Sequence, residues 1–424
     1  MAILYALLLL FIIVLIWRIN HPGDLRLNRA FIGRYVKDLK GRGPQRIQIS
    51  RLPVNQPADQ PEERVFYNVD AEFADGSKKS VLAQIIYPLE ALQSQRKSHP
   101  GVDDMMESMS SGSAMQRGDY AERLKEDPFK DMVQEEKLLV AKTVQVNSEV
   151  GGLKRLNSIG VLFPRFIAHD EKRWITLTEG VGTRRLDDQL QQLDQAGRRE
   201  LLQAVVGDLA IFHNSSKGLI GCFPPGAGHT EKKIRDALQD SLANWELCGA
   251  PVSTTDFLEI LDAARPLLET TQVETGLRLV DSSPRAFFLQ GEKAERISWD
   301  GVREDVSAFD IIELVCDPAV GLSANDELQL FRYYLERRDL ADDEKAELGR
   351  DLLRLAIYFR LVLLGYLARY RSAKLGRQGG IKHWGTDALS VVVRNLRAEM
   401  AEDPELADLR IRLEPCFSVM EGLR

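Results

Sequence analysis

The sequence predicts an α+β chain in two lobes, a small and mostly antiparallel sheet lobe followed by a larger helical lobe, with an apolar transmembrane helix in front. Three observations predict it. Residues 1–17, MAILYALLLLFIIVLIW, carry no charged side chain and are just long enough to cross a bilayer as one helix, at the short end of the usual ~17–25 residues. Strand-like patterns then cluster between Gln45 and Thr178. From Asn325 onward almost every segment has the apolar spacing of a helix.

The front of the chain is justified by charge. No Lys or Arg precedes the apolar run, and Arg18, Arg26, Arg29, Arg34, Lys37, Lys40, Arg42, Arg46 and Arg51 follow it against only Asp24 and Asp38. Positive charge stays on the cytoplasmic side of a membrane, so the N-terminus is expected outside and the bulk of the chain in the cytoplasm. A cleaved signal peptide needs a basic leader and small residues at its cleavage site, and Trp17-Arg18-Ile19 supplies neither. The expected organisation is an anchor over 1–20 and a basic juxtamembrane segment over 21–44 that contacts anionic lipid headgroups. The sheet lobe follows over 45–182 with a flexible insertion at about 88–131, then the helical lobe over 183–424.

Composition narrows the partners. The 424 residues carry a formal net charge of −7, which excludes nucleic acid as a partner of the main body. Cys222, Cys248, Cys316 and Cys416 form no C-x-x-C pair, so neither a zinc site nor a disulfide framework is expected. The six histidines form no H-x-x-x-H or H-E-x-x-H pattern, which removes a helix-borne zinc hydrolase.

In chain order, Gln45–Leu52 reads as a strand, and Arg64–Phe73 and Ser80–Tyr87 flank an Asp75-Gly76 turn, a strong hairpin signal. The connection Pro53–Glu63 has three prolines and no glycine. Pro88–Asp131, rich in Ser, Met and charge, has no sustained period. Helical spacing returns from Val133 towards Asn157, and Val161–Thr178 reads as two short strands. Leu201, Leu202, Val205, Leu209 and Phe212 mark one face of a helix ending near His213. Strands are expected at Ala286–Gln290 and Arg296–Trp299. Leu352–Leu367 is strongly apolar but interrupted by Arg354 and Arg360, which fits a buried helix better than a second membrane span.

Five short stretches carry the functional reading. They are Trp174–Val181 (WITLTEGV), Leu209–Asn214 (LAIFHN), Leu279–Leu289 (LVDSSPRAFFL), Ile297–Asp300 (ISWD) and Ser307–Leu314 (SAFDIIEL). In this order they resemble the aminoglycoside-phosphotransferase and lipopolysaccharide-kinase branch of the protein-kinase-like fold, loosely over Gln45–Tyr370. The resemblance implies roles. Glu179 ends the strand before the adenine-contacting linker, and His213 is structural. Asp281 falls where an aspartate orients the acceptor hydroxyl, and Asp310 where an aspartate braces that loop.

Set against the same pattern, the phosphate-handling residues are missing. Gln84 stands where a strand lysine is expected, and an amide cannot replace a full charge on phosphate. Glu149 sits well for the glutamate that partners such a lysine, or is a solvated glutamate on a helix face. Ala286 replaces a metal-holding asparagine. Ser298 replaces the magnesium aspartate unless a two-residue shift puts Asp300 there, and magnesium wants hard carboxylate oxygens. Asp281 is then either a residual base or a turn-former, since Asp-Ser-Ser-Pro is an ordinary turn sequence. Asp310 alternatively caps a helix beginning at Ile311.

The expected function is a membrane-anchored cytoplasmic scaffold or regulator, pseudokinase-like, with a protein partner at the membrane and no cofactor. The alternative is an ATP- and Mg²⁺-dependent phosphotransferase on a membrane-proximal acceptor such as a lipopolysaccharide-core sugar. In it Asp281 is the base, Glu149 and Glu179 bind the nucleotide, and Asp300 holds the metal. A third reading keeps only a helical binding protein with a small sheet.

Overall fold

A computed structural model describes residues 27–52, 64–86, 128–371 (except 227, 248, 253, 274 and 292) and 388–422. They divide into two compact units, Met1–Lys154 with Pro164–Val181, and Arg155–Phe163 with Gly182–Arg424.

The first unit is built on a five-stranded antiparallel sheet in the order β1-β2-β3-β5-β4. Its strands are β1 (Arg46–Arg51), β2 (Arg64–Glu72), β3 (Lys78–Ile86), β4 (Phe166–Asp170) and β5 (Ile175–Glu179). The hairpin between β2 and β3 forms where the Asp75-Gly76 turn predicts it. Gly76 takes φ +80°, and Asp75 Oδ1 accepts from Ser77 N at 3.0 Å. Alternation sorts the sheet into two faces. Val65, Tyr67, Val69, Ala71, Val81, Ala83, Ile85, Ile175 and Leu177 share an apolar core with Phe31 and Ile32 of helix α1 (Arg29–Tyr35). Asn28 caps that helix, its Oδ1 accepting from Phe31 N at 2.9 Å. The opposite face is built by the alternate residues Arg64, Phe66, Asn68, Gln84, Thr176 and Thr178. Helix α2 (Pro128–Leu156) completes the unit.

α1 and the loop after it occupy the segment expected to be a basic juxtamembrane stretch. Two of its arginines make contacts within the unit: Arg29 Nε donates to Pro44 O at 2.8 Å, and Arg42 Nε to the buried Asp38 at 2.7 Å.

The second unit is mostly helical. α3 (Leu186–Leu190), α4 (Gln195–Ser215), α5 (Glu231–Leu247), α6 (Thr254–Ala263) and α7 (Arg265–Leu268) precede its strands. After them come α8 (Ala308–Val315), α9 (Ala324–Arg337), α10 (Asp342–Arg371), α11 (Ala388–Glu402) and α12 (Ala407–Gly422). Its main core joins apolar residues of α5, α6, α7, α10, α11 and α12, with Trp245 and Phe417 fully buried. Two small sheets lie among the helices. One pairs β7 (Thr275–Arg278) with β10 (Arg303–Val306). The other joins β6 (Arg184–Arg185), β8 (Phe287–Gln290) and β9 (Lys293–Arg296).

Three expectations are corrected. The single-pass membrane reading is not supported, because no helix among the described residues is long and apolar enough to cross a membrane. The apolar run 1–17 lies outside the described residues, and the most apolar stretch within them, in α10, carries Arg354 and Arg360 as buried, ion-paired side chains. The strand expected at Arg296–Trp299 instead ends at Arg296, because Gly291 at φ +64° turns a tight hairpin that starts β9 at Lys293. The expected insertion falls largely outside the described residues, and α2 begins at Pro128 rather than Val133.

Candidate functional site

Between β7 and β8 the backbone makes an unusual corner. Val280 (φ +48°) and Asp281 (φ +64°) both adopt left-handed conformations, which cost a β-branched residue most and persist only where the surroundings over-determine them. The surroundings do so from three sides. The fully buried Asp310, on α8, accepts from Leu279 N at 3.0 Å through Oδ2 and from Ser282 Oγ at 2.7 Å through Oδ1. Glu313, one turn on, accepts from Ser282 N at 2.9 Å. The buried Arg296, at the end of β9, donates to Leu279 O at 2.6 Å and to Val280 O at 2.9 Å.

Asp310 is itself fixed by a buried relay. His213 Nε2 lies 3.1 Å from its Oδ2, and His213 Nδ1 lies 2.6 Å from the Tyr334 hydroxyl. Arg338 Nη1 donates to that hydroxyl at 2.6 Å. His213 therefore orients a carboxylate and is closed off from solvent. Asp310 lies inside α8 and its carboxylate reaches the loop instead of capping the helix.

The corner presents Asp281 outward. Its side chain is 52% exposed, accepts from Ser283 Oγ at 2.5 Å and has Arg285 Nη2 at 3.9 Å. The Asp300-Gly301 turn abuts the same corner, since a Cβ on Gly301 would lie 3.3 Å from Val280 Cβ and 3.6 Å from Leu279 O. Asp300 accepts from Ser298 Oγ. Burial lowers the pKa of Arg296, while the charges of Asp310, Asp281, Asp300 and Glu313 pull it the other way. Burial also pushes the Glu313 carboxyl up, against its ion pair with Arg278.

These residues do not fit a divalent metal well. Of the positions where the resemblance expects metal ligands, Ala286 has no side-chain oxygen, Ser298 offers a hydroxyl that donates to Asp300, and one carboxylate remains. Octahedral magnesium is ordinarily held by carboxylates together with substrate phosphates. A buried cation already among these acids is the Arg296 guanidinium.

In the first unit, Gln84 lies on β3 opposite Phe66 of β2 and Thr176 of β5. Its side chain is buried and its Nε2 has no hydrogen-bond partner among the described residues. Glu149, on α2, is not a solvated glutamate. It forms a bidentate ion pair with Arg64 of β2, Nη1 to Oε2 and Nη2 to Oε1, both at 2.9 Å, with each side chain 11% exposed. Gln145 Nε2 adds a bond to Oε1 at 2.8 Å. Glu179 ends β5 in an exposed ion pair with Arg165, at 3.0 and 2.5 Å.

Within the second unit the structure thus brings Asp281, Asp300 and Asp310 to one corner. In the first it joins Glu149 to a cation, with Glu179 in a separate pair. Sequence reasoning missed Arg64 and Arg296. Arg64 is 85 residues from Glu149, and no local pattern links them. Arg296 is one charge in a short polar strand, and only its burial marks it out.

No family model and no curated protein matches the sequence. Among solved structures the chain is similar to a choline/ethanolamine kinase family protein from Mesorhizobium loti, at 12% identity over 90% of this chain and 98% of that one, with a TM-score of 0.43. It is also similar to an aminoglycoside phosphotransferase from Alicyclobacillus acidocaldarius, at 11% identity over 95% and 97% of the two chains, with a TM-score of 0.42. Choline kinase LicA from Streptococcus pneumoniae is similar at 12% identity over 84% and 95%, with a TM-score of 0.38. No residue role is carried from those proteins to this chain. The kinase-like fold expected from the sequence stands on the five-stranded sheet with its paired glutamate helix and on the loop braced by Asp310.

Proposed function

We propose that the chain is a kinase-like protein that works by binding, as a scaffold or regulator, with metal-dependent phosphotransfer lost. The observation that carries this reading is Arg296, a buried guanidinium held on the carbonyl oxygens of Leu279 and Val280 among four acidic side chains. An internal cation there stabilises the loop without a metal. Ala286 and Ser298 add no carboxylate to bring one in. The partner in this reading is another protein.

A second reading, an ATP-dependent phosphotransferase, is favoured by one feature of the loop. The strained corner holds Asp281 half-exposed and rigid, as a base acting on an acceptor hydroxyl must be.

The two readings separate on magnesium. A ligand at 100 times its dissociation constant stabilises by about 2.7 kcal/mol. In the first reading, Mg²⁺ added to the full chain in excess ATP raises the melting temperature no further than ATP alone. A further rise that Asp300→Asn removes favours the second.

A further inference from the structure

One enclosed polar cluster of the second unit takes no part in the Asp281 corner. We infer that Cys316, Glu327 and Glu399 form a structural site for one thiophilic divalent cation of the Zn²⁺ type, which ties α8, α9 and α11 together. The inference goes beyond the reading above and holds whether or not the chain transfers phosphate.

The three residues converge from separate helices. Cys316 closes α8, Glu327 lies on α9 and Glu399 on α11. All three are buried, and one ligand atom from each lies within 4.8 Å of the other two. Ligand atoms around a tetrahedral zinc, with bonds of about 2.0–2.3 Å, stand about 3.5 Å apart, so small side-chain rotations close the set. A thiolate beside carboxylates suits zinc, whereas magnesium takes oxygen ligands. No C-x-x-C spacing marks such a site, because its ligands meet only when the helices pack.

Two atoms of the cluster point to a missing partner. Glu399 Oε1 and Arg360 Nη1 are both buried and have no hydrogen-bond partner among the described residues. The enclosed Arg360, on α10, directs its other donors to Glu399 Oε2 at 2.9 Å and to Glu327 Oε2. Asn395 Nδ2 donates to Glu327 Oε1 at 3.0 Å. Such outer donors orient ligand carboxylates around a metal, and here they leave Glu399 Oε1 available to one. Arg360 also borders the Cys316 sulfur. A metal-bound thiolate there is a better acceptor for Nη1 than the weakly accepting thiol. One cation therefore answers both atoms.

Charge gives the same result. Two carboxylates against one guanidinium leave a surplus negative charge where water is shut out, and buried charge has to be paired or metal-bound. Without metal, a proton on one carboxyl offsets the surplus. Zn²⁺ displaces that proton and the thiol proton. The zinc and guanidinium then balance two carboxylates and a thiolate.

Because the site is closed, the metal enters as the helices assemble, and the test is refolding of the full chain from urea with Zn²⁺ or with EDTA. After dialysis, metal content is read by mass spectrometry. The native chain refolded with zinc is expected to retain about one ion and to melt higher than the EDTA-refolded chain. Refolded with Co²⁺, it should show the near-ultraviolet absorption of a cobalt–thiolate bond. Cys316→Ser is expected to lose both the zinc and the band, with the exposed Cys222 left in place as a control for adventitious thiol binding. Should that variant fail to fold, Glu399→Gln keeps an acceptor for Arg360 but removes the ligand charge. It is expected to lower retained zinc about ten-fold or more. Native zinc content in either variant overturns the inference. So does a native chain that retains no zinc and shows no cobalt–thiolate band, which leaves the proton as the balancing charge.

Discussion

Asp310 accepts hydrogen bonds from a backbone amide, a serine hydroxyl and a histidine ring, all fully enclosed. Removing the acceptor leaves three buried polar groups unanswered and releases the loop that holds Val280 and Asp281 in left-handed conformations. Asp310→Ala should therefore cost about 3–5 kcal/mol, the usual penalty for breaking a buried charged network. Urea denaturation checks this, and a loss below about 1 kcal/mol contradicts the bracing role. Asp281 differs in kind, because its side chain is half-exposed and bonds to a neighbouring serine. Asp281→Asn should change stability by less than about 0.5 kcal/mol in the same measurement. The pair separates a residue that builds the corner from one the corner displays.

At the scale of elements, α5 and α10 pack so closely that a side chain has no room at Gly365. A Cβ there would lie 2.5 Å from Ser241 Oγ and 2.6 Å from Ser241 Cα. Gly365→Ala should cost about 1–3 kcal/mol by overpacking, despite the better helix propensity of alanine. Thermal denaturation reads the loss, and a stabilised variant contradicts the close packing. α10 itself is legible in the sequence because a long periodic run interrupted by arginines demands a buried helix with acidic partners. The Asp75-Gly76 hairpin is legible for an equally local reason. β7 and β10 are not, since four-residue strands such as TGLR carry too little alternation to show and pair across 24 or more intervening residues. The site divides the same way. Asp281, Asp300 and Asp310 sit in recognisable spacings, whereas the Arg64–Glu149 pair arises only when the sheet and α2 are assembled.

Across the second unit, charge is buried as well as apolar surface. Arg360 is fully enclosed between Glu327 and Glu399, donating through Nε to Glu399 Oε2 at 2.9 Å and through Nη2 to Glu327. One cation faces two carboxylates, with Cys316 beside them. Burial pushes the Glu399 carboxyl from 4.5 up to about 8 despite the pull of Arg360. The folded state then holds this proton more tightly than the unfolded chain. Its contribution to stability is complete below about pH 4.5 and is lost as the pH rises through about 8. The melting temperature should fall between about pH 6.5 and 8, and Glu399→Gln, which cannot ionise, should flatten that fall. His229 acts in the opposite sense. Burial lowers it from 6.5 to about 4, so its contribution is present above 6.5 and lost as the pH falls through about 4.

The central claim is that this molecule keeps the frame of a phosphate-transferring enzyme around Asp281 without the metal ligands the chemistry needs. Phosphate release from Mg²⁺-ATP by the full chain, measured beside Asp281→Asn, tests it most directly. The account predicts that both proteins match the buffer blank. Release by the native chain that Asp281→Asn abolishes would contradict it.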